Sequence, residues 1–491
     1  MDLSKGERYF KQWNESEAVA TRMLPILNQL RLERGVLVHV FGRSVAKVSS
    51  LELLKTHRHA RLILGGRELT VQDTFPVLEA LGRLDLGPCR IDLGKLTVKY
   101  KAQKEETPGL TPDDFVRREL EEVITGVHPV LAKPQDVVLY GFGRIGRILA
   151  RILVDKTGRG DKIRVRAAVV RQQRDNDLKK RAALFRLDSI HGPFSGTTYL
   201  DEDENAIVAN GNLIRLLYAE APNRIDYTRY GIEDAIVVDN TGKWRDRAGL
   251  GQHLEAPGVK SVLLTAPGKG DIPNIVYGIN HADIDPEERI LSAASCTTNA
   301  IVPVLKVIHE RFGLVSGHVE SCHSYTNDQN LIDNYHKKPR RGRSAPLNMV
   351  ITSTGAAEAV SKVLPELAGK LTGNAIRVPT PNVSLAILQL RLDRPTTKEE
   401  INEHLRQIAL DSPLQNQIDF TNSPDIVSSD LIGSRHAGVV DGEATLVNGA
   451  DGRNVVLYVW YDNEFGYACQ VMRLIQRMAG IHLPELPSDG G

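Results

Sequence analysis

Two rhythms of apolar residues divide the chain. In residues 1–133, apolar positions from Ser16 to Leu32 recur at helical spacing, and Pro25 is expected to start or kink a helix there. Val36-Leu37-Val38-His39-Val40-Phe41 and Arg61-Leu62-Ile63-Leu64 predict short strands, closed by Gly42 and Gly65-Gly66. Thr111-Pro112-Asp113-Asp114 starts a helix leading into Phe115 to Thr125. Gly126, Pro129 and Lys133-Pro134-Gln135 then mark a linker. This stretch shows no chemical motif, and Cys89, behind a Gly-Pro pair with no evident base, reads as structural.

From Asp136 onward strand patterns alternate with helical ones, as in an α/β sheet. Val137–Tyr140 is a strand, residues 141–147 a glycine-rich turn, Ile148–Val154 a helix and Ile163–Val170 the next strand. Ala235–Asp239 and Ser261–Thr265 read as further strands. Longer strands follow at Val383–Leu392 and Asn454–Tyr461, predicting a sheet-rich domain that begins near Cys296. The predicted class is an α/β dinucleotide-binding (Rossmann-like) domain plus an α+β, sheet-rich catalytic domain, preceded by a small α/β extension. The expected boundaries are 1–133 for the extension, 134–295 for the nucleotide domain and 296–462 for the catalytic domain. A C-terminal helix within 463–482 is expected to pack back onto the nucleotide domain.

Composition changes this picture little. A chain of 491 residues exceeds one hydrophobic core. Its 62 Lys and Arg against 61 Asp and Glu give no bulk charge that would draw nucleic acid or a membrane surface. Met1 to Arg8 lacks the apolar core of a secretory signal, and no run of 18 apolar residues predicts a membrane span. Cys89, Cys296, Cys322 and Cys469 have no metal-like spacing and read as reduced thiols. A soluble cytoplasmic enzyme without a metal is expected.

Gly141-x-Gly143-x-x-Gly146 follows a strand and opens a helix, the context that a dinucleotide-binding turn needs. Gly141 permits the tight turn, Gly143 lets a pyrophosphate approach the backbone and Gly146 lets the helix pack on the strand. An acid that would accept from the 2′-hydroxyl of NAD belongs at the end of the next strand, which instead reads Val170-Arg171-Gln172-Gln173-Arg174-Asp175. Arg171 could pair with a 2′-phosphate, so NADP is expected, alone or beside NAD. In the alternative, Arg171 and Arg174 are solvated and Asp175 supplies the carboxylate. Cys296 opens a helix-like segment in Ser295-Cys296-Thr297-Thr298-Asn299, and His323 stands in a strand-like one. A helix N-terminus and an imidazole are the two aids that convert a thiol into a nucleophile. Cys322, next to His323 on a strand, should face the other way.

With these motifs together, residues 136–482 resemble the phosphorylating glyceraldehyde-3-phosphate dehydrogenase family in a long form with an N-terminal extension. The resemblance also rests on Asp188-Ser189-Ile190-His191-Gly192, Asp239-Asn240-Thr241-Gly242, His323-Ser324-Tyr325-Thr326-Asn327-Asp328-Gln329 and Ser353-Thr354-Gly355-Ala356-Ala357. Arg377-Val378-Pro379-Thr380-Pro381-Asn382-Val383-Ser384 and Trp460-Tyr461-Asp462-Asn463-Glu464-Phe465-Gly466-Tyr467 complete it.

The resemblance implies an NAD(P)-dependent aldehyde oxidoreductase, with Cys296 as nucleophile and His323 as base. The substrates would be glyceraldehyde 3-phosphate and inorganic phosphate, in glycolysis or gluconeogenesis. By the same resemblance, Thr326 and Arg377 hold the substrate phosphate. Ser295, Thr297, Thr354, Gly355 and Arg343 hold the attacking phosphate, Arg343 by its spacing to Asn348 and the 353–355 turn. Arg144 and Ile145 lie on the pyrophosphate, Thr241, Gly242 and Thr265 line the cofactor cleft, and Asn463 holds the nicotinamide amide with Tyr467 nearby. A homotetramer is implied, with 326–346 near subunit contacts. Two other readings are a dehydrogenase of the erythrose-4-phosphate type, with water as acceptor, and a non-catalytic cofactor-binding regulator.

Overall fold

The computed structural model describes residues 4–158, 160–171, 176–449 and 451–487. They form two compact units. The first takes Met1–Lys133 together with Gly158–Lys162 and Ile481–Gly491. Its sheet runs β2 (Arg43–Ser44), β1 (Leu37–Val40), β3 (Arg90–Asp92), β20 (Glu485–Leu486), with β1, β3 and β20 parallel. Its helices are α1 (Lys5–Arg34), α2 (Ser50–Ile63), α3 (Val71–Arg83), α4 (Leu93–Glu106) and α5 (Pro112–Glu119). Capping boxes start three of them, Ser4 with Glu7, Ser49 with Glu52 and Thr70 with Asp73, each satisfying two backbone amides that the first turn leaves free. Met23, Leu30, Leu53, Leu78, Leu81, Ile91, Phe115 and Leu486 are buried together.

Three local expectations are corrected here. Arg61–Leu64 is not a strand: α2 runs to Ile63, because the Ser49 box commits the segment and Leu53, His57 and Ala60 form one buried face. The helix expected through Thr125 stops at Glu119 and gives way to a tighter turn at Glu121–Val123. Helix α1 begins at Lys5 and passes through Pro25 rather than starting there.

In the second unit, an eight-stranded sheet runs β11 (Ile290–Ser292), β10 (Val259–Leu264), β9 (Ala235–Asp239), β4 (Gln135–Tyr140), β5 (Ile163–Val170), β8 (Asn212–Tyr218), β7 (Ala206–Ala209), β6 (Thr198–Asp201). It is parallel from β11 to β8. The chain leaves β4 on one side through β5 and returns on the other at β9, so the sheet's switch point, where ligands bind in such folds, lies between β4 and β9. The other sheet runs β13 (Val350–Thr352), β14 (Leu371–Val378), β12 (Leu314–Ser324), β15 (Ser384–Leu392), β19 (Asn454–Tyr461), β17 (Gly438–Asp441), β16 (Ile418–Thr421), with β18 (Leu446–Asn448) on β19. Helices α6 (Arg144–Lys156), α7 (Asp177–Arg186), α8 (Arg247–Gly251), α9 (Cys296–Phe312), α10 (Ala356–Val363), α11 (Lys398–Leu410) and α12 (Phe465–Met478) complete the unit.

Alternation positions the chemistry. Ala386, Leu388 and Leu390 of β15 and Val455, Leu457 and Val459 of β19 point to one face, where Ile301, Val304, Leu305 and Ile308 of α9 pack on them. That packing holds the N-terminus of α9 above the end of β12. Helix α12 packs along α6. Among the described residues no helix is long and apolar enough to cross a membrane.

Candidate active site

Two helix N-termini define the site. At α6, Gly143 is the cap residue and offers no side chain, so it gives the first-turn amides of Arg144, Ile145 and Gly146 no side-chain cap. A side chain at Gly143 would meet open space, whereas a Cβ on Gly146 would stand 2.2 Å from the Gly141 carbonyl oxygen. Gly141 has φ 98° and approaches Thr241, so only glycine suits it. The turn therefore keeps a bare backbone cradle at the switch point, which suits a pyrophosphate. Asp239 is fully buried and accepts from the Thr241 amide and hydroxyl, both at 2.7 Å, fixing the Thr241-Gly242 turn beside the cradle. Thr265 donates to the Asp239 carbonyl at 3.1 Å.

The Arg144 side chain does not join this cradle. It forks onto Glu464 through Nε and Nη2, both at 2.5 Å, and reaches Asp188 at 3.0 and 3.2 Å. Its part on the pyrophosphate is thus limited to the backbone. Arg171 is exposed at the end of β5, and its carbonyl accepts from Arg181 at 3.3 Å. Asp175 and Arg174, the alternative ribose-end residues, lie outside the described residues. The next described acid, Asp177, is buried and paired with Arg181 at 2.9 Å.

At α9, Ser295 is the cap: its Oγ accepts from the Thr298 amide at 3.0 Å and meets Thr298 Oγ1 at 2.6 Å. Asn299 donates to the carbonyls of Ala293 and Ser295, and Tyr467 donates to that of Ala294 at 3.0 Å. Between these clamps Ala294 is held at φ 53°, a conformation that costs on the order of 1–3 kcal/mol and fixes the direction in which Cys296 emerges.

Cys296 Sγ lies 3.5 Å from His323 Nε2. His323 Nδ1 is 2.7 Å from the Ser324 carbonyl and 2.9 Å from Arg377 Nη1, which also donates to that carbonyl at 2.9 Å. Nδ1 cannot donate and accept at once. The carbonyl takes both protons, which leaves the Nε2 lone pair facing the thiol, the tautomer a base requires. Burial, and then the Arg377 charge, lower the His323 pKa to about 4, so the ring is neutral at pH 7. Burial pushes the Cys296 thiol up, while Arg377 and hydrogen bonds from Thr297 pull the other way.

Parallel pairing of β12 and β14 sets Arg377 directly across from His323. Arg377 also donates to Thr326 Oγ1 at 3.2 Å, and its buried Nε has no protein partner among the described residues. Asp328 receives Thr326 and Arg341 in very short contacts. Burial opposes its charge, but Thr326, Arg377 and Arg341 outweigh it and hold its carboxyl below the usual range. Arg341 continues to Thr352 Oγ1 at 3.2 Å, at the foot of the turn that carries Thr354 and Gly355. The Thr354 hydroxyl accepts from the Ala356 amide, and Gly355 caps α10 without a side chain.

Two of the expected phosphate residues already have partners within the protein. Arg343 is 65% exposed and tied to Asp333 at 2.6 Å, while Arg341 is 14% exposed and joins Asp328, which Thr326 links to Arg377. Thr297 is buried and its hydroxyl meets the Tyr461 hydroxyl at 3.0 Å. Tyr461, to which spacing alone assigns no role, bridges Thr297 to Ser321 at 2.8 Å; its position two residues before Asn463 is the available signal. Ser321 and His323 share one face of β12, and Cys322 falls on the face with Glu320. Asn463 Oδ1 accepts from Ser384 at 2.9 Å, which leaves its N–H groups for an acceptor such as a carboxamide oxygen.

The family description "Glyceraldehyde 3-phosphate dehydrogenase, NAD binding domain" matches residues 135–247, and its C-terminal domain matches residues 295–463. A glyceraldehyde-3-phosphate dehydrogenase-like protein of Pseudomonas aeruginosa (strain UCBPP-PA14) is 59% identical over 466 residues, 95% of this chain and 100% of its own length. Glyceraldehyde-3-phosphate dehydrogenase 2 of Bacillus subtilis (strain 168) is 41% identical over 70% of this chain and 96% of its own. The chloroplastic glyceraldehyde-3-phosphate dehydrogenase A of Zea mays is 41% identical over 69% of this chain and 81% of its own.

Proposed function

The chain belongs to the glyceraldehyde-3-phosphate dehydrogenase family, and on that premise we propose that it oxidises glyceraldehyde 3-phosphate with NAD(P) and inorganic phosphate to 1,3-bisphosphoglycerate. The observation that carries this reading is Cys296 Sγ within 3.5 Å of a neutral His323 that is crossed by Arg377. His323 takes the proton as the Cys296 sulfur adds to the aldehyde carbon, and the hemithioacetal is oxidised to a thioester. Phosphate oxygen then attacks the thioester carbon, the C–S bond breaks, and the thiolate recovers a proton from His323. Charge that develops on the substrate oxygen meets His323 and the Cys296 amide.

Bound at the switch point, the cofactor's nicotinamide supplies the hydride acceptor. The α6 amides, the Thr241-Gly242 turn and Asn463 are the residues that would hold it. Thr326 and Arg377 suit the substrate phosphate; Ser295, Thr297, Thr354, Gly355 and Arg341 suit the attacking one. Exposed Arg171 supports acceptance of the 2′-phosphate of NADP, which a comparison of catalytic efficiencies with the two cofactors tests. We also place the protein in the cytoplasm as a homotetramer. Association is supported by the segment after Thr326, where Leu331, Ile332, Tyr335 and Leu347 are 72%, 75%, 92% and 81% exposed.

The test is NAD(P) reduction with glyceraldehyde 3-phosphate, with and without phosphate. Phosphate-dependent turnover is expected. A rate that ignores phosphate would favour the erythrose-4-phosphate-type reading, and absence of turnover the regulator.

A further inference from the structure

The motif Asp188-Ser189-Ile190-His191-Gly192 has no part in the thioester chemistry, and the cluster it builds lies off the reacting atoms. Asp188 accepts from the amides of Ile190 and His191, both at 2.9 Å, and its carboxylate holds Arg144. His191 Nε2 lies 3.2 Å from Glu464 Oε2, the oxygen that also takes Arg144 Nη2. Asp462, fully buried at its side chain, accepts the amides of Glu464 and Phe465 at 3.0 and 2.8 Å and caps the start of α12. Burial opposes the charge of Glu464, but His191 and Arg144 outweigh it and keep the carboxyl ionised.

The two ends of this cluster are adjacent in sequence to the two ends of the cofactor cleft. Arg144 follows Gly143 of the pyrophosphate cradle, and Glu464 follows Asn463. The fork joins residues 320 apart in the chain, and its planar, bidentate geometry fixes a distance rather than only adding attraction. We infer that Glu464 is a positioning residue: through Arg144, braced by Asp188 and His191, it sets Asn463 at a fixed reach from the phosphate turn and so decides how firmly the nicotinamide is held. This rests on the dehydrogenase reading.

Calorimetric binding of NAD and of ADP-ribose, which has the pyrophosphate and both riboses but no nicotinamide, isolates that role. The wild type should bind NAD more tightly than ADP-ribose. Glu464→Gln, which keeps the shape and loses the charge, should shrink that preference about fivefold or more while leaving the ADP-ribose Kd nearly unchanged. Weakening of both ligands by the same factor, or an unchanged preference, overturns the inference and leaves the dehydrogenase reading standing. Should Glu464→Gln not fold, Arg144→Lys decides: it keeps the buried cation but gives up the fork, and the same loss of preference is expected. A wild-type chain that binds NAD no better than ADP-ribose overturns this inference alone, and one that binds neither counts against the cofactor site itself.

Discussion

The N-termini of α6 and α9 are the same physical object put to opposite uses. Each concentrates free amides and the positive end of a helix dipole, and each comes after a strand of the same sheet. Helix α6 starts at a glycine with no side-chain cap and open space before it. Helix α9 starts at Ser295, which caps it, and puts Cys296 on its first turn. An uncapped end lends its amides to an anion that comes and goes. A capped end has committed part of that capacity internally and, under the proposed function, keeps the remainder for a charge on its own chain, the Cys296 thiolate. The residues that link strand to helix, Gly-x-Gly or Ser-Cys, decide between the two uses.

Breaking the α9 side has the largest expected effect. Cys296→Ser should lower the rate of NAD(P) reduction by at least ~10³-fold while cofactor binding persists, checked by steady-state kinetics and calorimetry. A variant with substantial turnover would remove Cys296 from the nucleophile's place. On the α6 side the second and third glycines of the turn should separate. Gly146→Ala forces a Cβ against a carbonyl and should cost about 1–3 kcal/mol of stability in denaturant melts. Gly143→Ala, at φ −78°, should leave stability within about 1 kcal/mol yet weaken NAD binding on the order of tenfold, since its methyl fills the cradle. Equal behaviour of the two would dissolve the distinction between packing glycine and cradle glycine. The smallest effect is expected from Ser295→Ala. Loss of the cap should cost about 1 kcal/mol, and the freed amides offer the thiolate no replacement for the ordered turn. Alkylation of Cys296 against pH would then show its midpoint moved up; a downward move would mean that the cap competes with the thiolate for the same amides.

The site was legible where chemistry is tied to local spacing. The three glycines, Cys296 and His323 sit on elements whose pattern announces them, and strand alternation separates Cys322 from His323. Legibility failed where long-range contacts choose between like neighbours. Arg341 and Arg343 are both arginines in a loop without periodicity, and distant partners, Asp328 and Thr352 for one and Asp333 for the other, set them apart. The contact of Thr297 with Tyr461, brought in from β19, is likewise invisible in the spacing. In the first unit the run Arg61–Leu64 looks strand-like by composition, and a signal was present: Ser49 with Glu52 starts a helix, and Thr70 with Asp73 the next. Side-chain capping carried more information there than the apolar run.

Strand β20 gives the first unit a schedule. Arg90 on β3 is ion-paired with Glu485, 395 residues later, and Leu486 fills that unit's core. At about 5–20 residues per second, a ribosome needs roughly 20–80 s to travel that span. Until it does, the unit that emerges first holds an open sheet edge and an unfilled core position. The second unit is translated in the meantime, so the order of synthesis and the order of completion run opposite to each other. A nascent chain would reach its finished first unit only after the dehydrogenase unit has been made.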